Sequence, residues 1–338
     1  MLAEPLTSAL TCHFDTPADG RAAAPPGAGV LGRTAYARRT PGPSLQDGAP
    51  LLATSLAAPG LPEFTEVWTT RREARPGREG SLVYAEDGDH LFCATRVEEQ
   101  PTYRDAVHAA YDAALGLAHR LGYGELVRMW NFVGAVTGRS AEGTENYRDF
   151  CEGRARAFDA WAGRIGGMPA ATAVGALRPG IDIYFLACRP GRTTHLENPR
   201  QIPAYRYAER YGPKPPSFAR ATHLAEPGGG RGTVFVSGTA SIIGEDTVHR
   251  GDVGRQCDVT FANIEALVSA ENLARHGVDS GFELRDLGSI KVYVRDAADL
   301  PLVRAKCAAA FGDRRDIAYV RTDICRPELL VEIEGVCR

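Results

Sequence analysis

The sequence predicts an α/β (α+β) protein of two similar units, each a mixed β-sheet with two helices packed on one face. Three observations carry this. The order hairpin, helix, strand, helix, strands occurs twice along the 338 residues. Apolar residues alternate at period two where strands are expected and fall at helical spacing between them. A Pro-, Gly-, Tyr- and Arg-rich connection, from Arg189 to Gly230, separates the two occurrences.

The chain up to about residue 60 is rich in Pro, Gly and Ala, as in residues 24–30. It reads mostly as coil, with one candidate strand from Gly29 to Tyr36. Glu63 to Thr70 alternates like a strand. Gly80 to Ala85 and His90 to Thr95 read as a hairpin across the Asp87-Gly88 turn. Tyr103 to Leu121 has helical spacing, with Gly122 as its stop. Leu126 to Val133 is a strand and Glu145 to Ala162 a second helix. Ala171 to Val174 and Ile181 to Ala187 close the first unit.

The second unit repeats the order. Thr233 to Gly238 is a strand, and Val259 to His276 is a helix ending at Gly277. Ser289 to Val294 is a strand, and Leu300 to Phe311 is a helix ending at Gly312. Ile317 to Val320 and Leu329 to Glu334 are the last strands. Residue identities barely repeat, so the duplication is one of architecture. The expected division is an N-terminal domain over residues 1–188, with an extended N-terminal segment, and a C-terminal domain over 189–338 that carries the active site. A connection as long as Arg189 to Gly230 inside a compact protein is usually functional.

Composition excludes several function classes. The chain is 44% hydrophobic and 24% charged with net charge −3, which offers no basic field for nucleic acid or membrane. No apolar stretch is long enough to span a bilayer, and the start lacks a signal-peptide pattern. The eight cysteines are widely spaced, with no CxxC and no zinc-finger pairing, which reads as reduced cytoplasmic thiols. Gly228 to Gly232 precedes a strand, whereas a phosphate cradle lies between strand and helix. The histidines do not pair at metal spacing.

Three stretches remain as candidates. Asn198 to Arg220 mixes prolines with tyrosines and arginines. Fixed guanidinium forks and phenols suit a small carboxylated ligand, and a solvated linker suits the composition equally. Gly238, within Ser237 to Ser241, would let a ligand approach the backbone, or mark a bulge. In the last strand, period-two geometry puts Glu332 and Glu334 on one face, opposite Val331 and Ile333. A sheltered carboxyl there could act as an acid, though a polar edge-strand face gives the same pattern. Cys325, taken alone, is more often a small buried hydrophobe than a reactive thiol.

Together Asn198 to Arg220, Ser237 to Thr239, Asp323 to Val336 and Glu145 to Phe158 resemble the chorismatase family, over roughly residues 60 to 338. The closing Glu-Ile-Glu strand is similar to the end of the YjgF-type deaminase fold. The resemblance therefore implies two fused YjgF-like units, with a strand-borne Glu in a cleft between them. It implies a small-molecule substrate, chorismate, cleaved to pyruvate and a ring product without metal or organic cofactor. Neither nucleic acid nor membrane is an expected partner, and the expected state is a monomer, with a trimer as the alternative.

Residue by residue, the resemblance gives Glu332 as the catalytic acid on the enolpyruvyl methylene; Glu334, on the same strand face, is the backup. Gly238 and Cys325 match the branch that forms 3-hydroxybenzoate, Cys325 standing near ring C3 and C4 as a weak acid/base or a wedge against water. Substrate-binding candidates are Arg220, Arg154, Tyr205 and Tyr211. The alternatives are a hydrolytic chorismatase giving 3,4-dihydroxycyclohexa-1,5-diene carboxylate, a YjgF-like imine deaminase, and a metabolite-binding protein without turnover.

Overall fold

Alternating apolar residues become strands at the predicted places, and further strands form where the alternation fails. The computed structural model describes residues 10–16, 28–38, 40–58, 60–312 and 316–338. In its N-terminal part, β1 (Leu10–Asp15), β2 (Gly29–Ala37), β3 (Ser44–Gln46), β4 (Ala49–Ser55) and β5 (Phe64–Thr70) form a five-stranded sheet ordered β1-β5-β2-β4-β3. This corrects the expectation of coil for most of the segment. β4 shows no alternation because it is buried on both faces, as fully covered strands are. Residues 24–27 of the Pro-rich stretch lie outside the described residues.

The first unit runs β6 (Arg75–Glu79), β7 (Leu82–Glu86), β8 (His90–Val97), α1 (Arg104–Arg120), β9 (Glu125–Gly134), α2 (Asn146–Ala160), β10 (Ala170–Ala176) and β11 (Ile181–Cys188). The second runs β12 (Thr193–Leu196), β13 (Ala221–Leu224), β14 (Thr233–Ala240), a ribbon of β15 (Ile242–Ile243) and β16 (Asp246–Thr247), α3 (Val253–Val268), α4 (Ala270–Arg275), β17 (Leu287–Val294), α5 (Leu300–Phe311), β18 (Ile317–Arg321) and β19 (Val331–Cys337).

The sheet orders are β10-β9-β11-β8-β7-β6 and, read in the same direction, β18-β17-β19-β14-β13-β12. Position by position these are one topology. β9 with β10 and β17 with β18 are the parallel pairs, and the other neighbours are antiparallel. The two-unit α+β plan expected from the sequence is the plan observed.

One helix differs from expectation. Val259 to His276 is not a single helix: α3 starts six residues earlier and α4 follows it. The Asp252 side chain accepts from the Arg255 N–H at the start of α3, a cap the apolar spacing hides. At Ser269 the backbone leaves the helix, and its hydroxyl accepts from the Asn272 N–H to cap α4.

Each sheet buries one face under its helices. The other faces pack on each other and on the N-terminal sheet through Phe92, Trp130, Tyr184, Phe235 and Tyr293. Side chains of this size contribute about 1.5–3 kcal/mol each when fully buried. A chain of charges crosses this apolar layer: Glu66 pairs with Lys291, Lys291 lies 2.8 Å from Glu334, and Glu334 lies 2.8 Å from Arg128. The four come from β5, β17, β19 and β9, so the N-terminal sheet and both units are tied by one neutral network. Trp68 and Trp130 indole N–H groups donate to Glu66 and Glu334 at 2.6 and 2.7 Å, satisfying the remaining carboxylate acceptors.

Candidate active site

The period-two rule decides the last strand. Val331 and Ile333 of β19 enter the core beneath the helices, while Glu332 and Glu334 face the space between the units. The two carboxyls then meet different surroundings. Burial pushes the Glu334 carboxyl up, but Lys291 and Arg128 outweigh it and hold the group below the usual carboxylate range. Glu334 is an ion-network member and does not line the cavity that Glu332 faces, which argues against a part as backup acid.

Glu332 is the opposite case. It is 5% exposed. Burial foremost, and then the charge of Glu334, lift its carboxyl to about 8 against the opposing pull of Arg128 and Arg220. Among the described residues no hydrogen bond or ion pair holds its charged form, and the Arg128 and Arg220 charges do not offset the burial, which favours the neutral carboxylic acid. The first unit shows what an ordinary solution looks like. Asp182, also second in its unit's closing strand, carries Arg96 at 2.7 Å.

Gly238 explains how Glu332 fits. The pairing of β14 with β19 shifts register between Val236 and Thr239, so Gly238 lies in a bulge. A Cβ there would stand 1.9 Å from Glu332 Oε1 and 3.0 Å from Thr172 Oγ1. Bulge and close approach, the two readings of the sequence, are here one feature, and the close approach is that of a carboxyl.

Glu332 and Gly238 open onto a cavity of about 270 Å³ walled by β10 and α2 of the first unit, β14 and β19 of the second, and the connection between them. The cavity thus draws on both units, with Glu332, Gly238 and Cys325 from the C-terminal one. Cys325 is on the wall beside Ala240, Ile242, Ile324 and Leu329. Burial, joined by the Glu332 carboxyl, pushes its thiol up to about 12. It stays neutral and presents a small, weakly polar surface.

The connection supplies the cationic side. Arg220 lines the cavity, donates to the Tyr207 hydroxyl at 2.6 Å and the Ile202 carbonyl at 2.8 Å, and leaves its buried Nε without a partner. Tyr211 lines the cavity under the Arg326 guanidinium, 4.0 Å from its ring centre. Arg154 also lines it, but donates from Nε and Nη2 to the Ser217 carbonyl and from Nη1 to the Tyr111 hydroxyl. That guanidinium fastens the connection onto α2. Tyr205 does not line the cavity: it lies against Glu197, and Tyr207 occupies the wall instead. The alternating tyrosines gave no means of choosing between neighbours, because this part of the connection is short 3₁₀ turns and not a strand.

Wall residues that sequence reasoning missed include Arg326, Tyr147, Cys151 and Thr172. Arg326 directly follows Cys325 and was legible by adjacency. Tyr147 and Cys151 share a face of α2 at i, i+4 spacing. Thr172 sits in a plain apolar strand and carries no signal.

A buried carboxyl pushed toward its neutral form, an unreactive thiol and a set of guanidinium and phenol groups, all enclosing a small cavity between fused units, have the chemistry of an enzyme site for a small anionic molecule. The comparisons with known proteins agree with that class. The family description "Chorismatase FkbO/Hyg5-like, N-terminal" matches residues 66–187. The chain is 46% identical to a 3-hydroxybenzoate synthase of Streptomyces hygroscopicus over 97% of its length and 96% of the relative's. It is 43% identical to a chorismatase of Streptomyces rapamycinicus, covering 87% and 88% of the two. A crystal structure of a chorismatase superposes with TM-score 0.92 at 41% identity, covering 98% of this chain and 99% of that one. The chain belongs to the chorismatase family.

Proposed function

We propose that this enzyme converts chorismate to 3-hydroxybenzoate and pyruvate with Glu332 as the acid. The observation that carries the reading is the buried, unpaired Glu332 carboxyl, lifted to about 8 and seated against Gly238 at the floor of the cavity. Arg220 and Arg326 suit the substrate carboxylates, and Tyr207 and Tyr211 suit its ring edge.

Glu332 gives its proton to the enolpyruvyl methylene carbon, leaving an oxocarbenium side chain. The bond from ring C3 to the ether oxygen then breaks, its electron pair leaving with that oxygen as the keto group of pyruvate. The ring's C4 hydroxyl oxygen closes on C3, and its proton returns to the ionised Glu332. Opening of the resulting arene oxide and loss of the C3 hydrogen give the aromatic phenol. No water is consumed, which fits a wall in which Cys325, neutral and packed among apolar residues, keeps water from C3. Cys325 acts on this reading as the wedge, since a thiol at about 12 is a poor base at neutral pH.

The test is incubation of the purified protein with chorismate and separation of products by chromatography and mass spectrometry. Pyruvate with 3-hydroxybenzoate is expected. Pyruvate with the dihydroxycyclohexadiene carboxylate would move the chain to the hydrolytic branch. Tight binding without turnover would leave a metabolite-binding protein. The proposal includes a monomer, because the cavity is completed within one chain, and a cytoplasmic setting, which suits eight free cysteines. No described helix is long and apolar enough to cross a membrane.

A further inference from the structure

Thr172 on β10 lies where the charge network, the bulge and the acid meet. The bulge leaves Gly238 without a ladder partner on β19, and a buried backbone N–H needs an acceptor. That acceptor comes from the other unit: Gly238 N–H donates to Thr172 Oγ1 at 2.9 Å. The same oxygen accepts from Arg128 Nη2 at 2.5 Å and donates its proton to Glu334. One donor and two lone pairs are thus all committed, and the hydroxyl has a single orientation.

The backbone around it is equally fixed. β10 is the edge strand of its sheet, and its outward groups are taken by side-chain and backbone groups from beyond the sheet. Ala170 N–H donates to Thr222 Oγ1 and Ala171 N–H to Ser237 Oγ, both at 2.9 Å. The Thr172 carbonyl accepts from Asn131 Nδ2 at 3.1 Å. A residue held on every side has its hydroxyl on the Gly238 N–H, and the Gly238 Cα faces the Glu332 carboxyl across a gap too small for a methyl group.

We propose that Thr172 is a positioning residue for the acid: by clamping Gly238 from across the unit interface, it sets where the Glu332 carboxyl lies in the cavity. The proposal rests on the acid role given above to Glu332. It assigns the first unit a part in catalysis, although that unit's own strand-borne carboxylate, Asp182, is paired with Arg96.

Steady-state kinetics of Thr172→Val and Thr172→Ser with chorismate test it. Valine keeps the shape and removes the hydroxyl, and serine keeps the hydroxyl. The valine protein should lose kcat by about tenfold or more with KM within about twofold, and serine should restore kcat to within about threefold of the unsubstituted enzyme. The idea is overturned if valine leaves kcat unchanged, if serine loses as much as valine, or if only KM rises. Should the valine protein fail to fold, Thr172→Cys carries the same test: its longer, weaker sulfur bonds predict the same loss of kcat at unchanged KM, and unchanged kcat overturns the idea. The unsubstituted enzyme in the same assay separates the two levels. No turnover there would sink the acid role itself, whereas normal turnover with an insensitive Thr172 sinks only this inference.

Discussion

At Glu332 one burial decides both reactivity and stability. Its carboxyl ionises at about 8 in the folded chain, against an ordinary 4.5. Between those values the unfolded chain has shed a proton that the folded chain still holds, so stability falls as pH rises through that window. Glu332→Gln removes the conflict. It should be more stable than the natural protein at pH 7, by on the order of 3 kcal/mol and so with a higher unfolding temperature, and the gain should vanish at pH 4. The same substitution should cut turnover by about 10²–10⁴-fold, the usual size of a lost proton donor. In the natural enzyme kcat/KM should decline as pH rises through about 8, as the acid form is lost. Gly238 is the counterpart. A methyl 1.9 Å from Glu332 Oε1 forces the carboxyl to move, so Gly238→Ala should slow 3-hydroxybenzoate formation by on the order of tenfold to a hundredfold while the protein still folds. A circular dichroism spectrum and a product trace would check both halves.

At the scale of elements, the helices and strands with clean periodicity were legible. The Leu300–Phe311 helix with its Gly312 stop is where the spacing predicts it. The start of α3 was not, because the amphipathic pattern fades before the cap does. Asp252→Ala should lower stability by about 1 kcal/mol in a urea titration with no change in activity, since Asp252 caps α3 and does not line the cavity. The connection was legible as functional but not in detail. Composition flagged its arginines and tyrosines, yet whether Tyr205 or Tyr207 faces the cavity depends on successive 3₁₀ turns. Likewise Arg154 reads as a ligand-binding guanidinium until Ser217 and Tyr111 take its donors.

At the scale of the whole molecule, the fused units bury a face that carries charges as well as rings. Lys291→Met would leave Glu66 without its cation and Glu334 with Arg128 alone. It should destabilise the fold by about 3–5 kcal/mol, the usual result of breaking one side of a buried pair. Adding Glu66→Gln should recover part of that loss, a non-additivity readable from urea midpoints. The network also supplies the negative charge of Glu334 that helps keep Glu332 neutral, so the same variant should shift the pH above which activity declines.

The sequence by itself determined the duplicated α+β plan, because period-two and helical spacing are local properties of apolar residues. It determined that Glu332 and Glu334 share a face, since alternation along a strand needs no partner. It also determined the family, through the Tyr/Arg connection and the closing strand. Only the tertiary structure decided which of the two carboxyls is held charged and which is pushed toward its neutral form. That choice depends on Lys291 and Arg128 forming ion pairs with Glu334 from β17 and β9, while no ion pair among the described residues holds Glu332. A pKa is set by the charges and solvent around a group, and those neighbours come from strands far apart in the chain.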